Sequence, residues 1–103
     1  MKVAFSPAAQ ADLMDIALYI AQDNPKRALK FVDDLEGQCD ALGAAPGIGT
    51  SRPDLGQGIR MFPHGRYLIF YRESNKGLRI ERILHGSRDI DHGDIEASNP
   101  AGA

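Results

Sequence analysis

The segment IRMFPHGRYLIFYRESNKGLRIERILHGSRD, residues 59–89, holds 7 of the chain's 12 Lys and Arg residues. They are Arg60, Arg66, Arg72, Lys76, Arg79, Arg82 and Arg88, and His64 and His85 lie among them. Guanidinium groups at this density can line a catalytic groove, hold an acidic partner, or balance acids of their own chain. Catalysis by proton transfer needs a base, and arginine is a poor one because it stays protonated. His64 or His85, with an ordinary pKa of about 6.5, could serve. The only acids from residue 59 to 88 are Glu73 and Glu81. Cross-strand ion pairs are common and weak, about 0.2–1 kcal/mol each, but two carboxylates do not balance seven cations locally. A docking face for an acidic partner is therefore the favoured reading. Arg82, set amid Ile80, Ile83 and Leu84, is its best single candidate. The alternative for Arg82 is a partly buried ion pair with a C-terminal carboxylate such as Asp89.

Other residue types point to blander roles. Tyr67 and Tyr71, four residues apart, fall on one strand face, where rings could stack bases. A formal net charge of -2 speaks against autonomous nucleic-acid binding, which usually needs a clearly basic domain. Cys39 lies between Leu35 and Leu42 on an apolar stripe and reads as core filler. The stretch DIDHGDIE has metal-ligand residue types without convincing ligand geometry, and reads as a solvated acidic tail. No Gly-rich phosphate loop, paired-Cys spacing or HExxH occurs, so neither metal nor cofactor is implied.

The charge is unevenly spread. Residues 1–58 carry net -3, residues 59–88 net +5 and residues 89–103 net -4. That pattern suggests a positive face on an acidic body. The 103 residues suit one domain. No apolar run approaches the roughly 18 residues of a membrane span, and MKVAFSPAAQ lacks a signal pattern. A single cysteine fits a reducing, cytoplasmic compartment.

The elements that position these residues follow from patterning. KVAF, residues 2–5, is a short strand candidate. Ser6 can cap a helix with Pro7 at its first position, and Ala9, Leu13, Ile16, Ala17 and Ile20 form its apolar face to about Gln22. Met14 and Leu18 widen that stripe and are expected to touch the second helix or the loop. Asn24-Pro25 starts a second helix, with Ala28, Phe31, Val32, Leu35, Cys39 and Leu42 on one face, ending near Gly43. The short turn implies an antiparallel helical hairpin. Residues 43–58 contain five Gly and two Pro and read as a long loop. Strands are expected at 59–62, 66–73 and 78–85, with turns at Pro63-His64-Gly65 and SNKG. Ile83 breaks the alternation of the last strand, which suggests a bulge. The expected fold is α+β, β-α-α-β-β-β, with the hairpin on one face of a small antiparallel sheet. The first strand should pair antiparallel with a meander strand, leaving the other face partly open for the arginines.

The runs SPAAQADLMDIALYIAQDNPKRALKFVDDL, PGIGTSRPDLGQGIRMFPHGRYLIFYR and RILHGSRD, in this order and spacing, resemble the ParE branch of the RelE/ParE toxin superfamily. The resemblance covers residues 3–90. It implies the same β-α-α-β-β-β fold and the toxin of a prokaryotic type II toxin–antitoxin, or plasmid stabilisation, module. Residues 1–90 would be the single toxin domain and 91–103 an acidic, partly disordered tail. The partner implied is a cognate antitoxin, of ribbon-helix-helix type with an acidic amphipathic tail. The action implied is binding and poisoning of DNA gyrase, without catalysis. The binding surface implied comprises Arg60, Arg66, Tyr71, Arg72, Arg82, His85 and Arg88. Two rival readings remain: a RelE-type ribosome-dependent mRNA endonuclease using His64, His85 and Arg66, and a non-toxic relative that only binds the antitoxin. RelE-like chains place Lys and Arg on the early meander strands, whereas here Lys is absent between Lys30 and Lys76, leaving Arg60, His64 and Arg66.

Overall fold

The computed structural model describes residues 1–96. Two helices form where the capping signals lie. The Ser6 hydroxyl accepts from the Ala9 amide and starts α1, Pro7–Asp23. Asn24 alone links the helices: its amide donates to Ile20, closing α1, and its side chain accepts from the Arg27 amide, opening α2, Pro25–Ala44. One residue in extended conformation thus serves both ends and makes the hairpin tight. The apolar stripes meet the sheet, burying Ala9, Ile16, Ala28, Leu35, Cys39 and Leu42.

The sheet has five strands in the order β1-β5-β4-β3-β2. These are β1, Val3–Phe5; β2, Thr50–Ser51; β3, Arg60–His64; β4, Tyr67–Ser74; and β5, Gly77–His85. The hairpin packs on one face, as the patterning predicts. The strand expected antiparallel is instead parallel, with Val3 opposite Leu78 and Phe5 opposite Ile80. The cause is length. A three-residue strand spans only about 10 Å, so β1 ends halfway along β5. Helix α1 does not turn back; it continues in β5's direction, with Ser6 beside Ile80 and Glu81 and Asp12 beside Ile83. Helix α2 makes the return, so that Gly43 accepts from the Met1 amino group. The descending strand that must precede β3 is β2, two residues within the Gly/Pro-rich stretch.

The turn expected at Pro63-His64-Gly65 is shorter, because Pro63 and His64 remain in β3. Since β2 pairs only with Arg60 and Met61, among the described residues β3 is a free edge beyond Met61, and Pro63's missing N–H faces no partner there. The suspected bulge exists. Phe70 pairs with Arg82 and Tyr71 with Ile80, leaving Glu81 as the extra residue of β5. It returns Ile83 to the helix side with Leu78 and Ile80, and sends Leu84 and Arg82 to the other.

That other face is not open. Leu55 and Ile59 from the loop, and Ile90 and Ile95 from the C-terminal segment, cover Phe70, Leu84, Met61 and Leu68 in a second apolar cluster. Of the residues assigned above to a tail, 91–96 include the helix α3, His92–Glu96, which buries Ile95. The remainder of the expected tail, including ASNPAGA, lies outside the described residues.

Candidate functional site

Among the described residues β5 has no strand neighbour on its β1 side beyond Phe5, and α1 supplies what the ladder lacks. The Ser6 hydroxyl donates to the Glu81 carbonyl at 2.7 Å. The Asp12 carboxylate accepts from the Ile83 amide at 3.0 Å. Asp12 also takes a two-pronged ion pair from Arg82, 2.7 Å to Nε and 2.8 Å to Nη2, with both side chains largely buried. Asp12's hydrogen bonds hold the Arg82 guanidinium above its ordinary pKa. Its remaining Nη1 donates to the Asp94 carbonyl, tying α3 to the same point. Arg82's partner within the chain is therefore Asp12, not Asp89.

Other members of the expected surface are likewise engaged within the chain. Arg72 and Arg79 straddle the buried Glu81, at 3.5 and 2.6 Å, and Arg72 also donates to the Gln57 carbonyl. Arg88 pairs with the Asp94 carboxylate. Arg60 donates to the Gly49 carbonyl at 2.8 Å. Tyr71 is fully buried. Its hydroxyl donates to Pro46 O and accepts from the Gly49 amide, clamping the loop onto the sheet. Burial, ahead of every other influence, raises its phenol pKa. Tyr71 thus has no surface to offer a partner, a correction to the expected set. Cys39 is core, as read from its stripe, and burial pushes its thiol up to about 12.

Arg66 and His85 remain exposed, and the fold brings them near His64. Tyr67 lies opposite His64 on β3 and opposite His85 on β5. His64 meets Phe31 edge to face at 5.7 Å, Phe31 meets Tyr67 at 5.4 Å, and Tyr67 meets His85 at 5.3 Å. His85 Nδ1 accepts from the Ser87 amide, which puts the proton of the neutral ring on Nε2. These rings brace the hairpin tip against the sheet. Among the described residues, no group of three or more His, Cys, Asp or Glu side chains could hold a metal ion.

A second surface lies along the β1 edge of the sheet. Strand β1 is the sheet's edge, and beside it an apolar groove of about 420 Å³ runs between α1 and α2. Val3, Phe5, Leu13, Met14, Ala17 and Val32 line it. Met14 and Leu18, expected to be covered, are 60% and 58% exposed. In a parallel ladder alternate residues bond to one neighbour, so Val3 and Phe5 turn their peptide groups outward; Gln10 Nε2 already caps Phe5 O. Sequence reasoning missed Asp12 altogether. Its only signal was a carboxylate on α1's flank with no lysine or arginine at helical spacing.

Comparison with known proteins bears on this geometry. A sequence model of the family described as ParE toxin of type II toxin-antitoxin system, parDE, matches residues 3–90. Toxin ParE1 of Caulobacter vibrioides is 33% identical over 82 residues, 77% of this chain and 82% of that protein. A solved structure of the chromosomal ParDE TA system from P. aeruginosa is similar to this fold, with a TM-score of 0.69 and 28% identity, covering 82% of this chain and 95% of that one. No helix of the described residues is long and apolar enough to cross a membrane.

Proposed function

The chain belongs to the ParE toxin family of type II toxin–antitoxin systems, and on that premise we propose that it acts by binding rather than by catalysis, poisoning DNA gyrase until a cognate antitoxin occupies it. The observation that carries the reading is the apolar groove beside the free edge of β1. An antitoxin segment could add its backbone to that edge and set apolar side chains into the groove, the two standard modes of peptide capture. A ribbon-helix-helix antitoxin with an amphipathic tail has the required chemistry. The catalytic alternative lacks comparable support. His64 and His85 pack against aromatic edges, and among the described residues neither is paired with a carboxylate that would orient it as a general base.

The test is a supercoiling assay with purified bacterial gyrase and purified toxin, with and without the antitoxin encoded beside it. Inhibition by the toxin, reversed by antitoxin, is the expected result. Met14→Glu should weaken the antitoxin's rescue and leave inhibition intact. Conversely, cleavage of translated mRNA that disappears in the His64→Ala/His85→Ala variant would overturn the binding reading in favour of a nuclease.

A further inference from the structure

The arginines divide into two groups. Among the described residues, Arg52, Arg60, Arg72, Arg79, Arg82 and Arg88 each engage a carboxylate or carbonyl of the chain. Among the described residues Arg27 and Arg66 make no side-chain ion pair or hydrogen bond, and both are exposed. They come from distant parts of the chain, the first turn of α2 and the β3–β4 turn, yet both line one cleft of about 720 Å³ at the hairpin tip. Tyr19, Phe31 and Tyr67 also line it, and among the described residues Asp23 is its one carboxylate. Tyr19 is 71% exposed, so the core does not need it. The cleft is net positive in a chain of net charge -2.

We propose that this cleft is the surface with which the toxin grips its target, and that it takes an acidic protein segment anchored by an apolar or aromatic side chain. This rests on the binding reading given above. Unpaired arginine beside exposed tyrosine is the composition from which interface hot spots are built. A guanidinium fork with no internal partner gives up only water when it meets a carboxylate, whereas the six engaged arginines would first have to break bonds. Nucleic acid is the weaker occupant, because two cations on an acidic body give little phosphate affinity at physiological salt. The antitoxin groove is chemically unlike this cleft: among the described residues its one charged lining residue is Glu36. Target and antitoxin would thus touch different surfaces.

The decisive variant is Arg27→Glu/Arg66→Glu, with Arg27→Lys/Arg66→Lys as the charge-preserving control. Both positions are exposed, so a melting curve should show the fold intact. The expected result is that growth arrest is lost and gyrase inhibition needs about tenfold or more protein, while antitoxin affinity stays at the wild-type value and the lysine variant retains most activity. Three results would overturn the proposal: wild-type arrest and inhibition in the glutamate variant; a parallel loss of antitoxin affinity, which assigns the cleft to the antitoxin; or arginine-dependent binding of a labelled single-stranded oligonucleotide, which assigns it to nucleic acid. If the wild-type chain arrests growth without touching gyrase, the target named above falls and growth arrest alone judges the cleft. If it does neither, both proposals fall.

Discussion

Asp12→Ala is the sharpest probe of how this fold holds together. One carboxylate accepts two hydrogen bonds from Arg82 and one from the Ile83 amide. Removing it strands a guanidinium and a backbone N–H in a site where both side chains are about one-seventh exposed. Breaking a fully buried ion pair costs about 3–5 kcal/mol, and an orphaned buried donor about 1–3 kcal/mol. Partial solvation trims the sum, so the net loss is about 2–4 kcal/mol. In urea, with a slope of ~1.5 kcal/mol/M, the midpoint should fall by about 2 M; in a thermal scan the loss is about 10–20 °C. Asp34→Ala is the control. It breaks the surface pair with Lys30, whose side chains are 75% and 50% exposed, and should cost under about 0.5 kcal/mol. Asp12→Ala/Arg82→Met should recover part of the loss, because the unpaired charge is gone while the Ile83 amide stays orphaned. Amide exchange at Ile95 should quicken in the single variant, since Arg82 also holds Asp94. If Asp12→Ala is no worse than Asp34→Ala, the argument that α1 substitutes for the missing half of β1 is wrong.

The loop clamp gives a second prediction. Tyr71→Phe removes the hydroxyl that bridges Pro46 O and the Gly49 amide, so stability should fall by about 1–3 kcal/mol with faster exchange at Gly49; an unchanged Gly49 amide would refute the clamp. Gly49→Ala should be worse than its exposed neighbour Gly47→Ala, because a Cβ at 49 would sit 2.2 Å from the Tyr71 hydroxyl while one at 47 meets nothing. The third concerns Cys39. Its folded pKa is raised, so the neutral thiol's contribution to stability is fully present below the unfolded value of 9.0 and is lost as pH climbs toward about 12. At pH 8 an alkylating reagent should therefore modify Cys39 only as fast as the chain unfolds; rapid labelling of the native protein would contradict its burial.

Much of this protein is written locally. Ser6-Pro7 and Asn24-Pro25 announce two helices because capping and proline preferences act within one turn, and the two apolar stripes identify the faces that meet the sheet. Alternation in β4 correctly sorts Tyr67, Ile69 and Tyr71 from Leu68 and Phe70. The family, too, is legible in the order and spacing of short runs. What failed were the inferences about which distant charges meet, which way β1 runs and what covers the second face of the sheet. The cations of residues 59–88 looked unbalanced because acids were counted along the chain. The fold instead brings Asp12 from α1 and Asp94 from α3 to Arg82 and Arg88. Electrostatic pairing falls with separation in space, not in sequence, so local charge counts misjudge it. The same limit hid the parallel β1 and the covered face. Whether three residues of strand end a chain reversal or begin a crossover depends on where β5 lies, and whether a sheet face stays open depends on which loop folds over it. Types and periods of elements are properties of neighbouring residues; the pairing of charges, the direction of β1 and the cleft that joins Arg27 to Arg66 arise only when remote segments share one packed volume.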